Sequence, residues 1–427
     1  MKESKFNVFK YRENGMLIYN TYSGNVLYLN KTYSEKYQKA KAKKFKDENF
    51  SDLIENLKKG RMIIPDTVNE NELILATNKI ARFSNTIQRY TIAPTMKCNF
   101  RCPYCYEKGV DYKTMDRKTI DAVKKLFKKD KEISKKLFIT WYGGEPLLNF
   151  DIIEELSIEA IALFGKNYTA SMVTNGYLLT PEIADKLCDL KIMNLQITID
   201  GPPDIHNTRR KLPNGNDTFF VILENIKNLL NITQEITITI RINTDKTNID
   251  RVDEVIQYLE HYNIKDKVGF YLAPVDNING TCNAAECFNT YEFAREQINF
   301  IQRNIDKTLQ LAHLPQRNIS MCGAVANNSY VIDAQGDLYK CWNEIGNREN
   351  SIGSVFDTSI DLNKNLTRWL VYDIINDTEC MNCKFLPLCM GGCPDFKIQG
   401  NEKKCSPIKE NAEEMIELLY KYFNKKS

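Results

Sequence analysis

The chain has 427 residues, 43% hydrophobic and 26% charged, enough for two or three domains with sizeable cores. Lys and Arg number 58 against 55 Asp and Glu, a net charge of +3, so no bulk electrostatic field points to a nucleic-acid partner. No apolar run of about 18 residues suggests a membrane span. The opening residues Met1-Lys-Glu-Ser-Lys-Phe-Asn lack the apolar stretch of a signal peptide, so the expected location is the cytoplasm.

Residues 1–75 read as a small unit. Phe6–Tyr11, Gly15–Tyr19 and Asn25–Leu29 alternate as three short strands, with turns at Glu13-Asn14-Gly15 and Ser23-Gly24-Asn25. Helical patterns follow over 31–45 and 50–59, then Gly60 and a strand over Arg61–Pro65. The polar stretch 66–81 is expected to connect this unit to the next.

From about 89 the pattern alternates. Strands are predicted at 90–95, 136–141, 168–174, 194–200, 235–242 and 267–275, with amphipathic helices at 117–129, 151–164, 181–190, 219–230 and 250–262. Six β/α units in a row predict a parallel sheet, open or closed into a partial barrel. In such sheets function gathers at the C-terminal ends of the strands. After about 310 the alternation stops, a hairpin is predicted over 329–333 and 338–341, and a last helix runs from 408 to 423.

Thirteen cysteines in a reducing compartment read as metal ligands rather than disulfides. Cys188 lies in a helical pattern and is expected to be an inert core thiol. Three others form Cys98-x3-Cys102-x2-Cys105, with Tyr104 before the last, directly after the first strand of the series. Three thiolates leave one position of a metal cluster open, whereas four close it. A zinc site with a distant fourth ligand, or free thiols, are the plainer readings of that loop alone.

The loop and its place resemble the radical S-adenosylmethionine (SAM) family. The second strand ends in Trp141-Tyr-Gly-Gly-Glu-Pro146, which is similar to the family's GGE motif, where backbone and Glu hold the amino group of SAM. The resemblance implies that Gly143, Gly144 and Glu145 take this role. It extends to Asn175 after the third strand and to Thr198, Asp200 and Arg210 at and beyond the fourth. Thr198 stands where most relatives have Ser, and Arg210 matches the arginine that pairs with the SAM carboxylate. Arg241 and Asn243 on the fifth strand and Leu272 on the sixth are expected near the adenine side, and Tyr104 against the adenine itself. A catalytic residue is not identified; Arg241 and Glu344 are candidates.

The late cysteines resemble the SPASM signature: Cys322, then Gly336 and Cys341, then Cys380-x2-Cys383-x5-Cys389-x3-Cys393, then Cys405. The resemblance implies two auxiliary 4Fe–4S clusters, three in all. Cys380, Cys383, Cys389 and Cys405 would hold the outer one, and Cys322, Cys341 and Cys393 the inner one. Gln316 stands where fully ligated relatives have a further cysteine, so the inner cluster is expected to be open, or closed by Cys282 or Cys287. Trp342 stands where sulfatase maturases carry an acidic base, which counts against that activity. Zinc ribbons are the alternative for the late cysteines alone.

The expected architecture is α/β: a PqqD-like, winged-helix-like precursor-recognition domain (1–75), a linker (76–88), a partial (β/α)6 TIM-like radical SAM barrel (89–310) and a SPASM extension (311–427). The first domain would bind a leader peptide as an added strand, and Lys31, Lys36, Lys39, Lys41, Lys43, Lys44 and Lys46 beside it would attract an acidic one. The expected function is a peptide maturase, modifying a ribosomal precursor peptide by hydrogen abstraction and installing cysteine thioethers, with a flavodoxin or ferredoxin-type electron donor. Carbon–carbon cross-linking, epimerisation and sulfatase-maturase-like oxidation are the alternatives within the class, and a non-catalytic zinc module is the alternative outside it.

Overall fold

A computed structural model describes residues 1–427 except 47, 279, 281–282, 284, 309–314, 402 and 426–427. By its internal contacts the chain divides into two units: Met1–Arg82 with Asn289–Cys322 and Tyr372–Ser427, and Phe83–Phe288 with Gly323–Val371.

In the first unit β1 (Lys2–Glu3) pairs later with β5, while β2 (Asn7–Arg12), β3 (Gly15–Asn20) and β4 (Val26–Asn30) form an antiparallel sheet in that order. Gly15 sits at φ +147°, and a Cβ there would lie 2.1 Å from the Leu29 carbonyl oxygen, so the turn demands glycine. Helix α1 (Lys31–Ala42) is capped by Asn30, whose side chain accepts from the Tyr33 N–H at 2.9 Å. Helices α2 (Ser51–Lys59) and α3 (Glu70–Phe83) flank β5 (Ile63–Ile64). Because side chains alternate along a strand, the sheet offers two apolar faces. Met16, Ile18 and Leu29 pack with Tyr37, Leu53 and Leu57 of α1 and α2. Val8, Leu17 and Tyr19 pack with Ile298, Ile301 and the C-terminal helix Ala412–Lys425, through Met415, Ile416 and Leu419. β2 and β4 are the edges of this sheet.

The second unit holds one nine-stranded sheet. Strands β6 (Ile87–Ile92), β7 (Lys136–Trp141), β8 (Tyr168–Thr174), β9 (Ile192–Ile199), β10 (Thr237–Thr244) and β11 (Gly269–Pro274) are parallel neighbours in sequence order. Helices α4 (Arg117–Ile133), α5 (Phe150–Phe164), α6 (Pro181–Leu187), α7 (Pro203–Arg209), α8 (Phe219–Ile232) and α9 (Asp253–His261) connect them. Their apolar faces cover the sheet, with Val123, Phe127, Ile153, Leu156, Ile222, Ile226 and Val255 at or near zero exposure. The six strands coincide with the predicted ones within about three residues, as expected where both faces of a strand are buried.

The predicted hairpin is present. β12 (Ser329–Ile332) pairs in parallel with β6, and β13 (Asp337–Tyr339) and β14 (Gly353–Ser354) extend the same sheet in antiparallel fashion. The hairpin thus continues the parallel sheet of the second unit. Tyr90 and Tyr330 stack across the join with ring centroids 6.2 Å apart.

Candidate functional site

All six parallel strands point their C-terminal ends at one cavity of about 320 Å³. Cys98, Cys102 and Cys105 line it from the loop after β6, Gly143, Gly144 and Glu145 from β7, and Asn175 from β8. Thr198 lines it from β9, Arg210 from beyond α7, and Arg241 and Asn243 from β10. Of the residues expected near SAM, Asp200 and Leu272 are fully or almost fully buried and do not line this space.

The loop and the Gly-Gly pair are built against each other. A Cβ on Gly144 would lie 2.3 Å from the Lys97 carbonyl oxygen, and Gly143 (φ +102°) comes as close to Thr95. The Gly144 and Glu145 N–H groups donate to the carbonyls of Thr95 and Lys97 at 3.2 and 2.9 Å. Only glycine allows that approach, so these residues shape the cradle whether or not a ligand is bound.

Glu145 is 1% exposed. Its carboxylate accepts from the Leu147 N–H (3.0 Å), the Thr174 hydroxyl (2.7 Å) and the Asn175 N–H (2.8 Å). Burial pushes its pKa up, and these three bonds oppose the shift. Asn175 in turn donates to Asn99 Oδ1 at 2.8 Å, tying β8 to the cysteine loop. Burial raises all three thiols, Cys98 to about 12 and Cys105 to about 11. As free thiols they stay protonated; a bound metal supplies the driving force to release the protons.

Tyr104 holds the loop from the other side. Its hydroxyl donates to Asp200 Oδ2 (2.5 Å) and accepts from Arg210 (3.0 Å) and Asn243 (3.3 Å). Arg209 lies over its ring, 5.1 Å from the centroid, and bridges Asp200 (2.9 Å) and Asp245 (2.7 Å). Asp200 therefore acts from behind the cavity, as the anchor of Tyr104 and of two guanidinium groups. His206 accepts from the Asp200 N–H at 3.3 Å, and burial keeps it neutral.

Arg241 donates through Nε to Asn243 Oδ1 at 2.8 Å. Glu344 is 3% exposed and paired with Arg368, away from the cavity lining. The lining also includes Tyr106, Glu107, Tyr142, Gln196, Asp276, Trp342 and Asn343, none of which was expected there. The sequence signals were adjacency: Tyr106 and Glu107 follow Cys105, Tyr142 precedes Gly143 and Trp342 follows Cys341. Glu107 is raised to about 7 by burial.

Cys380, Cys383, Cys389 and Cys405 line one pocket of the first unit, with Lys403 and Lys409. The Phe385 N–H donates to Cys383 Sγ (3.4 Å), and Lys397 Nζ lies 3.8 Å from Cys380 Sγ. Four thiols around one space, with N–H and ammonium donors to sulfur, suit an anionic iron–sulfur cluster. Cys322 and Cys393 lie half-buried in the first unit and Cys341 in the second. Gln316 is exposed, Cys287 is half-buried with its thiol 3.5 Å from the Asn283 carbonyl, and Cys282 falls outside the described residues. Cys188 is half-buried, its thiol 3.5 Å from the Thr233 hydroxyl.

The profile of the radical SAM superfamily matches residues 92–259. An uncharacterised protein of Methanocaldococcus jannaschii is 32% identical over 179 residues, 40% of this chain and 58% of that one, so this match leaves over a third of that relative unspanned. The radical SAM cyclopropyl synthase TigE of Paramaledivibacter caminithermalis is 22% identical over 72% of this chain and 68% of its own. A cysteine-type anaerobic sulfatase-maturating enzyme of Clostridium perfringens is 23% identical over 76% and 90%. Among solved structures, native anSMEcpe with bound AdoMet and a peptide shares the fold (TM-score 0.59, 20% identity, 80% of this chain and 98% of that one). So does Streptococcus suis SuiB bound to its precursor peptide SuiA (TM-score 0.55, 15% identity, 95% and 99%). Cysteine loop and glycine cradle both fall within the matched stretch, so residues 92–259 carry the radical SAM signature on a fold shared with anSMEcpe and SuiB.

Proposed function

We propose that the chain is a maturase that modifies a precursor peptide, and that its product is a cysteine thioether. The observation that carries the peptide reading is the cavity of about 320 Å³ that the Cys98–Cys105 loop and the glycine cradle line together with Tyr106, Tyr142 and Trp342. The likeness to SuiB and anSMEcpe, each solved with a peptide, supports it. The thioether rests on Gln316, which leaves the late cysteines one ligand short.

In this reading Cys98, Cys102 and Cys105 hold a 4Fe–4S cluster, and the late cysteines two more. The cluster with SAM supplies, when bound, reductive cleavage to a 5′-deoxyadenosyl radical. The chain's own residues do the rest. The backbone at Gly143 and Gly144 admits the methionine end of SAM, and Thr198 and Arg210 offer a hydroxyl and a cation to its carboxylate. Asn243 and the Tyr104 ring bound the adenosine side. Asp200 and Arg209 hold Tyr104 and Arg210 in place.

The three-stranded sheet β2-β3-β4 serves as the leader-binding element. Its edge strand β4 runs into α1, whose Lys31 and Lys39 are exposed and Lys36 half-buried, matching an acidic strand added to that edge. A flavodoxin or ferredoxin-type protein is the proposed electron donor. No described helix is long and apolar enough to cross a membrane.

Sulfatase-maturase-like oxidation is the second reading, favoured by the 90% coverage of the Clostridium perfringens enzyme. Against it, Trp342 follows Cys341, and the nearby Glu344 is buried on Arg368. The test is anaerobic incubation with SAM, reductant and small cysteine-containing peptides from reading frames sought beside the gene, read by mass spectrometry. A product lighter by two hydrogens per cross-link, with the lost thiols unreactive to alkylation, supports the thioether. Unchanged peptide beside abundant 5′-deoxyadenosine contradicts it.

A further inference from the structure

A second cavity, of about 750 Å³, shares no lining residue with the one at the cysteine loop. Gln88 and Tyr90 of β6 line it, two residues apart and so on one face of the strand, and Tyr330 of β12 stands opposite Tyr90 in register. Tyr90 packs on Phe127 of α4 with ring centroids 6.0 Å apart, which marks this face as the helix side of the sheet. From α4 come Lys125, Leu126, Lys129, Asp130 and Ile133, and the segment 354–360 adds the rest of the lining.

The buried end holds polar groups with unused bonding capacity. Gln88 is 7% exposed and Tyr90 3%. The Tyr90 hydroxyl donates to Asp130 Oδ2 at 2.6 Å, and the Gln88 side chain lies beside the same hydroxyl. The Asp130 charge also acts on Tyr330. Among the described residues Asp130 has no ion pair and no second hydrogen bond to its carboxylate, and the Tyr330 hydroxyl has no partner. Burial accordingly raises Asp130 to about 6, and a donor brought to its open oxygen would relieve that cost. The outer end carries the opposite sign. Lys125 and Lys129, one turn apart on α4, are exposed and pair with no carboxylate among the described residues; Lys129 donates to the Thr358 carbonyl at 2.8 Å. Asp357 is the remaining charge in the lining, and its carboxylate accepts from the Ser354 N–H at 2.7 Å. Two lysines and two carboxylates leave no net charge, so a ligand of one sign meets attraction and repulsion together.

We propose that this cavity binds a short apolar peptide with free ends, its ammonium at Asp130 and its carboxylate at Lys125 and Lys129. An ammonium brings three N–H donors, and the open Asp130 oxygen, the Gln88 side-chain carbonyl and the Tyr330 hydroxyl are three acceptors. Between the two ends Leu126, Ile133, Val355 and Ile360 supply apolar lining that aliphatic side chains can cover. The volume falls in the range of about 300–1,000 Å³ that takes a ligand of drug size, which is two or three residues rather than one amino acid. The site stands apart from the reaction proposed above and does not depend on it.

The test is calorimetry at pH 7 on the reconstituted enzyme with the dipeptide Leu-Leu, its N-acetyl form, its C-terminal amide, and leucine. Leu-Leu should bind, and each of the other three about tenfold more weakly, because each lacks one charged end or half of the apolar body. Asp130→Asn should weaken Leu-Leu by about the same factor and make N-acetylation indifferent, with SAM binding unchanged as the sign of an intact fold. Replacing Lys125 and Lys129 together by Gln should remove the preference over the amide. Between pH 7 and pH 5 Asp130 takes up a proton, so Leu-Leu should lose about tenfold in affinity more in the parent than in Asp130→Asn. Tyr90, Tyr330, Lys125, Lys129 and Asp357, the other ionisable groups of the lining, are common to both proteins, so the difference isolates Asp130. Absence of Leu-Leu binding, or binding that Asp130→Asn leaves unchanged, would overturn the proposal. So would leucine or the acetylated dipeptide binding as tightly as Leu-Leu.

Discussion

At the residue scale, one phenol oxygen joins the cysteine loop to β9, β10 and the segment after α7. Tyr104→Phe removes only that oxygen and leaves Asp200 and Arg210 each short of a partner. Such losses are worth roughly a factor of ten in an equilibrium constant. We expect the SAM dissociation constant to rise by about that factor with iron content unchanged, read by calorimetry on reconstituted protein. A dissociation constant equal to that of the unaltered enzyme would remove Tyr104 from the positioning role. Asp130, remote from the cysteines, gives a pH test. Burial raises it to about 6, against the Tyr90 hydroxyl bond (2.6 Å) that lowers it. Its folded value thus exceeds its unfolded value, so the fold binds its proton more tightly. The stability it contributes is complete below about pH 4 and is lost as pH rises through about 6. The melting-temperature difference between Asp130→Asn and the parent should therefore grow in favour of the variant over that window; a constant difference would contradict the assignment.

At the scale of elements, the parallel strands were legible because buried strands read as apolar runs bounded by turns. The place of the hairpin was not. Alternation in Ser329–Ile332 announces a strand but carries no information about its partner, and β6 lies more than two hundred residues upstream. The same limit applies to the cavity. Its SAM side is written in contiguous motifs, whereas Tyr106, Tyr142 and Trp342 come together only through the fold. Asp200 shows the intermediate case: its place after β9 marked it as important, but only the structure shows it behind Tyr104 rather than in the cavity. The glycine cradle yields a prediction of its own. Gly144→Ala puts a Cβ 2.3 Å from backbone at Lys97, which cannot move without shifting the cysteine loop. It should lower both the melting temperature and the iron bound after reconstitution. Gly109→Ala, at φ +89° but with nothing within 4 Å, should cost only the strain of its backbone and keep full iron. Equal iron in both variants would separate the cradle from the cluster.

At the scale of the whole molecule, the proposed function has ten of the thirteen cysteines hold clusters and leaves three out. Full reconstitution should give about twelve irons and as many sulfides per chain. Replacing Cys383 by Ser should lower the iron without preventing SAM binding. Loss of SAM binding in that variant would mean that the two cysteine sets are not independent. The claim that joins these parts is that the hydrogen taken by the deoxyadenosyl group comes from a peptide residue seated in the cavity at the cysteine loop. Anaerobic turnover of the peptide found to be modified, deuterated at its carbon-bound positions, tests it by the mass of the 5′-deoxyadenosine formed. The account predicts deuterium in that product, and none from Cys98→Ala because no cleavage occurs. Unlabelled 5′-deoxyadenosine formed beside a modified peptide would contradict it.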